Sequence, residues 1–231
     1  MYNYAYILKK EENVMRYKNV IFDLDGTLLN TIDDLTDSVN YVMKQFGFNQ
    51  YTTDTIEGFL GNGIHRLMES AVPDGVENDR FQEAFDMFKD YYTRNCLIKT
   101  APYDGIIQLL SDLKEMGCSL AIVSNKNEQA VLRLFKIFFD KYADMAVGQT
   151  ENSKKKPNPE SLFYVMDKLG ASKKDTLYVG DSEVDKETAD NAGVDCALVS
   201  WGFRKRDFLL ELKPEYMADS PYQLGELLKN I

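Results

Sequence analysis

The 231-residue chain has one histidine, one tryptophan and three cysteines. Cys96, Cys118 and Cys196 are odd in number and far apart, which argues against a disulfide framework. Their spacing is not that of a metal site, so they are read as buried free thiols of a reducing, cytoplasmic protein. A catalytic cysteine would have to take His65 as its base, since there is no other imidazole. No stretch is long and apolar enough to span a bilayer. Basic residues are also in deficit: 27 Lys and Arg face 37 Asp and Glu, for a net charge of −10. That balance argues against nonspecific binding of nucleic acid or anionic membrane, which needs a basic face. No internal repeat or low-complexity linker is present. Residues 1–16 include a Lys9-Lys10-Glu11-Glu12 run and no signal-peptide pattern, and are read as a disordered extension without assigned function.

What is there is an ordinary globular composition, 44% hydrophobic and 28% charged, in a chain long enough for a large core plus a smaller insert. Val20, Ile21 and Phe22 end in Asp23-Leu24-Asp25-Gly26-Thr27, an apolar strand that delivers two carboxylates into a glycine turn. Adjacent like charges raise one pKa, so one acid can stay ionised while the other carries a proton. A nucleophile beside a general acid is what phosphoryl transfer through an aspartyl-phosphate requires. A solvated acidic turn is the plain alternative, and Gly26 with Thr27 weighs against it. At average residue usage the four positions coincide on the order of once per 10⁵ windows.

After Asn30 the pattern becomes helical as far as residue 98. Leu35, Val39, Val42, Met43 and Phe46 mark one helix face, with Thr31 or Asp33 as its cap. Further helical pieces are predicted over 53–60, 64–71 and 78–98, and their Phe, Tyr and Met residues read as the interior of a small bundle. From residue 102 helix and strand alternate. Helices are predicted at 103–116, 128–138, 158–169, 185–192 and 221–230, and strands at 119–123, 145–147, 176–179, 195–199 and 216–218. This predicts an α/β fold: a Rossmann-like three-layer core around a parallel sheet (17–30 and 99–231) with an inserted α-helical domain (31–98). Ligands of such sheets bind beyond the carboxyl ends of the strands, which puts Asp23, Asp25, Ser124 and Asp181 on one rim.

Three more groups follow predicted strands or precede helices. Ser124 and Asn125 could hydrogen-bond phosphoryl oxygens, with backbone N–H groups of the 25–27 turn beside them. A common turn explains Ser-Asn equally well. Lys156 is held extended by Pro157 and Pro159, where it could neutralise the nucleophile and a phosphoryl group. Lys154 and Lys155 read as a solvated run. Asp181 and Asp185, in Gly180-Asp181-Ser182-Glu183-Val184-Asp185, would complete with Asp23 the oxygen-rich site that Mg²⁺ prefers. A helix-capping acidic turn is the alternative.

In kind and order, these four elements resemble the motifs of the haloacid dehalogenase superfamily, over most of residues 20–200. The resemblance implies Asp23 as nucleophile and Asp25 as acid and base. It implies Ser124 and Lys156, with Gly26, Thr27 and Asn125 nearby, as the phosphate cradle. Mg²⁺ would be held by Asp23, the backbone carbonyl of Asp25 and Asp181, with Asp185 as ligand or support. Dehalogenating members lack the second aspartate, so Asp25 points to phosphotransfer. The 31–98 insert lies where the family places a helical cap, and Gly61, Asn62, Gly63, His65 and Arg66 are its candidate specificity loop. For His65 and Arg66, solvated polar residues at a helix start is the alternative.

Pro102-Tyr103-Asp104-Gly105, Lys156-Pro157-Asn158-Pro159-Glu160 and Val199-Ser200-Trp201-Gly202-Phe203 resemble the phosphoglycolate phosphatase branch. The expected partner is then a small phosphorylated metabolite, best matched by 2-phosphoglycolate, with the protein a monomer or dimer. Alternatives are a β-phosphoglucomutase-like phosphomutase, a pyrophosphatase or nucleotidase, and a non-catalytic phosphate-binding module. The polar Lys186-Glu187-Thr188 stretch departs from the more apolar one common in relatives.

Overall fold

The computed structural model describes residues 15–60 and 63–231. Strand β1 (Asn19–Phe22) leads through a turn into the short β2 (Leu29–Asn30). Helices α1 (Ile32–Phe46), α2 (Thr53–Phe59), α3 (Gly63–Ala71) and α4 (Phe81–Asn95) follow, and the chain returns through β3 (Ala101–Pro102), antiparallel to β2. The remainder alternates. It runs α5 (Ile106–Glu115), β4 (Ser119–Asn127), α6 (Glu128–Phe138), β5 (Met145–Gln149), α7 (Glu160–Leu169) and β6 (Thr176–Gly180). Then come α8 (Glu183–Ala192), β7 (Asp195–Val199), α9 (Arg206–Glu211), β8 (Tyr216–Ala218) and α10 (Pro221–Asn230).

The result is a parallel six-stranded sheet in the order β5-β4-β1-β6-β7-β8 with helices on both faces. Side chains alternate across a strand, so consecutive apolar residues feed both layers. Val20 and Phe22 join Leu109, Leu113, Leu120 and Leu224 on one face, while Ile21 joins Leu162, Val165 and Tyr178 on the other. Phe22 pairs with Ile122 and Val179, which fixes the rim: the residues after β1 and β6 and the end of β4 lie side by side.

Helices α1–α4 have a separate apolar interior of Leu35, Val39, Val42, Met43, Phe46, Leu67 and Phe88, with Tyr92 at its edge. Two details differ from the sequence expectation. Thr31 precedes α1, but its backbone is not extended and its hydroxyl caps nothing; the oxygen is buried without a partner. Asp34, in the first turn, is the buried acid instead, and its carboxylate accepts the N–H groups of Lys99 and Thr100 at 2.9–3.1 Å. Helix α4 begins at Phe81 and not at 78, because Asn78 is spent on the preceding turn, donating to Pro73 O and accepting from Arg80 N.

Candidate active site

The strand-end rim and helices α2–α4 enclose a cavity of about 750 Å³. Asp23, Asp25, Ser124, Lys156 and Asp181 line it from the sheet side, and Leu60, Gly63, His65, Phe85 and Tyr92 from the helical side.

Asp23 follows β1 and donates its N–H to Val179 O at 2.8 Å, which seats it at the sheet centre. Lys156 reaches it from the loop before α7: Nζ lies 2.7 Å from Asp23 Oδ1, 2.8 Å from Asp185 Oδ1 and 3.1 Å from the Tyr178 hydroxyl. The ammonium's three donors are thereby used. The Lys156–Pro157 bond is cis. Asn125 anchors that loop from β4, donating to Lys156 O at 3.1 Å and accepting from Lys156 N at 2.7 Å.

Asp23, Asp181 and Asp185 bring carboxylate oxygens within 4.8 Å of one another, all buried. Three buried carboxylates against one lysine leave excess negative charge. Burial first, and then the neighbouring Asp185, push Asp23 up to about 7 despite the opposing pull of Lys156. Burial, Asp185 and Asp23 likewise raise Asp181 well above the carboxylate range. On Lys156, burial alone would lower the pKa, and the two aspartates outweigh it.

An all-oxygen, over-negative cluster is what a hard divalent cation satisfies, so these residues fit Mg²⁺. Asp185 is the most occupied of the three. Its Oδ2 accepts from Asp181 N and Ser182 N, both at 3.2 Å, and from Ser182 Oγ at 2.6 Å; its Oδ1 takes Lys156 and Tyr178. Its clearest work is holding Lys156. Asp181 accepts from Phe203 N at 2.7 Å and Thr27 Oγ1 at 3.4 Å.

The expected residues divide. Asp23, Asp25, Ser124, Lys156 and Asp181 come together on the cavity wall. Gly26 and Thr27 lie behind it. The N–H of Gly26 goes to Leu29 O at 2.9 Å and is not free for phosphate, which corrects that part of the turn's expected role. Gly26 is needed for shape: its φ is +87° and a Cβ there would overlap the Asp181 carboxylate. Thr27 holds Asp181, and Asn125 uses its carboxamide to position Lys156. Of the specificity loop, Gly61 and Asn62 lie outside the described residues. Gly63 and His65 line the cavity, with the imidazole edge-on to Phe81 and Phe85. Arg66 is not brought to the site; it pairs with Glu69 at 2.8 Å on the exposed face of α3.

Four participants escaped the sequence reading. Tyr178 sits mid-strand and looks like core until its hydroxyl is seen on Lys156. Arg204 bonds both Glu183 oxygens and Leu60 O, tying the sheet side to the end of α2. Lys126 places Nζ 2.7 Å from Asp25 Oδ1 and 2.7 Å from the hydroxyl of Tyr92, on α4. Burial would lower its pKa, but Asp25 and Tyr92 more than offset that and hold it cationic. Its place directly after Ser124-Asn125 was the available signal; Tyr92 had been assigned to bundle packing.

The chain belongs to the haloacid dehalogenase-like hydrolases: that family's model matches residues 20–199. Its enzyme class, a phosphatase, agrees with that membership and with the retained Asp25. A phosphoglycolate phosphatase of Aquifex aeolicus (strain VF5) is 32% identical over 91% of this chain and 96% of its own. A pyrophosphatase, PpaX, of Bacillus cereus (strain G9842) is 29% identical over 94% of this chain and 99% of its own. A crystal structure from Lactobacillus delbrueckii subsp. bulgaricus, described as that of a candidate phosphoglycolate phosphatase, superimposes with a TM-score of 0.88. It is 33% identical and covers 93% of this chain and 99% of that one.

Proposed function

We propose that this chain is a Mg²⁺-dependent phosphatase of small phosphomonoesters, with 2-phosphoglycolate as the best-matched substrate, acting through an aspartyl-phosphate on Asp23. The observation that carries the reading is Asp23 itself. It is a buried carboxylate at a strand end, with Lys156 on one oxygen and no hydrogen-bond partner on the other among the described residues.

In this reading the free oxygen of Asp23 attacks phosphorus, and Lys156 favours the ionised form of the carboxylate and offsets charge on the phosphoryl group. Ser124, buried within β4 where its pairing becomes irregular, accepts from Lys126 N at 3.1 Å and keeps its own proton to donate to a phosphoryl oxygen. Asp25 gives a proton to the departing alcohol, then takes one from the water that opens the aspartyl-phosphate. Mg²⁺, when bound by Asp23, Asp181 and the Asp25 carbonyl, supplies charge neutralisation and orientation. Helices α1–α4 act as a cap that keeps bulk water from the rim. Three free thiols, Cys96, Cys118 and Cys196, suit a reducing compartment such as the cytoplasm.

Pyrophosphate hydrolysis is the second reading, favoured by the Bacillus relative. Phosphate release from 2-phosphoglycolate, pyrophosphate and nucleoside monophosphates, compared by kcat/KM, ranks the two. Asp23→Asn should lower kcat about 10⁴-fold or more on every substrate, while the protein stays folded by circular dichroism. Full turnover in that variant defeats the reading.

A further inference from the structure

Lys126 is, with Lys156, one of two cavity lysines whose side chains are largely buried, and it is differently employed. Its side chain is 8% exposed. It touches no part of the Asp23, Asp181 and Asp185 cluster; its partners are the Asp25 carboxylate and the neutral Tyr92 phenol, both at 2.7 Å. The ammonium also stands 4.9 Å from the centre of the Tyr92 ring. An ammonium has three donors, and the third has no protein partner among the described residues, while the side chain lines the cavity. A lysine needed only as a strut between sheet and helices would have no reason to keep a donor at the cavity wall.

Its position relative to the chemistry is specific. Asp25 must lie within hydrogen-bond reach of the ester oxygen that it protonates. Lys126 shares that carboxylate, so it stands beside the leaving group and not beside the phosphoryl group, which Lys156 and Ser124 serve. An anionic group one or two bonds from the ester oxygen would fall against its free N–H. Arg133 lines the same cavity and adds positive charge there, as does Lys89, whose ammonium is paired with Asp86 at 2.6 Å. Charged hydrogen bonds in a water-poor cleft discriminate strongly, because a neutral analogue leaves the buried cation less well satisfied.

We propose that Lys126, held between Asp25 and Tyr92, is the specificity-determining residue that reads a negative charge on the substrate's leaving group. This inference rests on the phosphatase reading and narrows its substrate class. Favoured substrates carry an anion next to the scissile oxygen, as a carboxylate does in a phosphorylated hydroxy acid and a phosphate does in pyrophosphate. Esters of neutral alcohols are disfavoured.

The test compares 2-phosphoglycolate with ethyl phosphate, the same two-carbon ester with a methyl in place of the carboxylate. The readout is the ratio of their kcat/KM values in the full-length protein with Mg²⁺. The wild-type ratio should be on the order of 30-fold or more in favour of the glycolate. Lys126→Met and Lys126→Gln should bring it to within about threefold of unity, mainly through KM for the glycolate, and Lys126→Arg should restore most of it. The glutamine variant keeps a hydrogen-bonding side chain without the charge, so it decides the matter if the methionine variant fails to fold. Tyr92→Phe, which releases the lysine on the helical side, should lower the ratio severalfold. A ratio unchanged in Lys126→Gln, or near unity in the wild type, overturns the role of Lys126. Release of phosphate by the wild type from neither ester nor pyrophosphate would instead overturn the phosphatase reading itself.

Discussion

At the residue scale the site is governed by an imbalance of charge. Asp23, Asp181 and Asp185 converge in a buried space that holds one lysine between them. An isolated carboxylate in such a place holds its proton, which is why Asp23 is pushed from its ordinary 3.8 to about 7 by burial. The sign of the consequence follows from proton counting. Between about pH 4 and 7 the folded, metal-free protein binds more protons at Asp23 than the unfolded chain does, so its stability falls as pH rises through that window. Above pH 7 both states are ionised there and the loss is complete. Denaturation in EDTA should therefore show a melting temperature that declines from pH 5 to pH 7.5. Mg²⁺ should reverse that trend, because a cation favours the ionised acids. Saturating Mg²⁺ at a hundred times its Kd adds about 2.7 kcal/mol of stability by mass action. Asp181→Asn should remove most of that gain while leaving the EDTA form no less stable than wild type. A Tm insensitive to Mg²⁺ in the wild type would mean that the acids do not hold the ion.

At the element scale the sequence was most readable where one local rule decided the outcome. The sheet strands were visible because β1, β6, β7 and the Leu120–Val123 part of β4 are short apolar runs buried on both faces, and that signal survives without knowledge of partners; the polar continuation of β4 to Asn127 did not show. The rim acids were visible because they punctuate those runs. What stayed hidden were contacts between elements distant in sequence. The β2–β3 pair is only two residues long on each side, too short for any periodicity to show. Asp34 lies inside a polar stretch, Asp33-Asp34, and reads as an ordinary first-turn acid. Only the fold shows that it accepts the N–H groups of Lys99 and Thr100, 65 and 66 residues away. Lys126 was hidden for the same reason, since Tyr92 reaches it from another layer. The Asp34 contact pins together the two chain segments that enter and leave α1–α4. Removing the carboxylate strands two backbone donors at a buried site, a change worth about 2–3 kcal/mol. Asp34→Ala should lower the unfolding free energy by roughly that amount in urea titrations, and Asp34→Asn, which keeps one acceptor, should lose less. Equal losses in the two variants would show that the pair of N–H bonds is not what Asp34 contributes.

At the scale of the whole molecule the apolar interiors are of two kinds. The one among α1–α4 is assembled from Leu35 to Cys96, a continuous stretch, so its contacts are local. Those of the sheet draw on residues from Tyr17 to Leu228 and are largely long-range. Besides the β2–β3 strand pair and Leu97, which packs against both interiors, the two bodies meet across the cleft through polar ties, among them Lys126 to Tyr92 and Arg204 to Leu60 O. A unit with a local interior and polar outer contacts can open without unfolding the rest. Leu67 and Leu110, both fully buried, one in each body, let this be tested. Truncating either to alanine removes about 2–5 kcal/mol from its own interior. Leu67→Ala should speed amide hydrogen exchange throughout α1–α4 while β1, β4 and β6 keep their protection. Leu110→Ala should lower protection in both bodies, because the helical segment is inserted between β1 and the rest of the sheet and loses its anchorage when the sheet unfolds. If Leu67→Ala instead raised exchange equally in the sheet, the two interiors would be one cooperative unit.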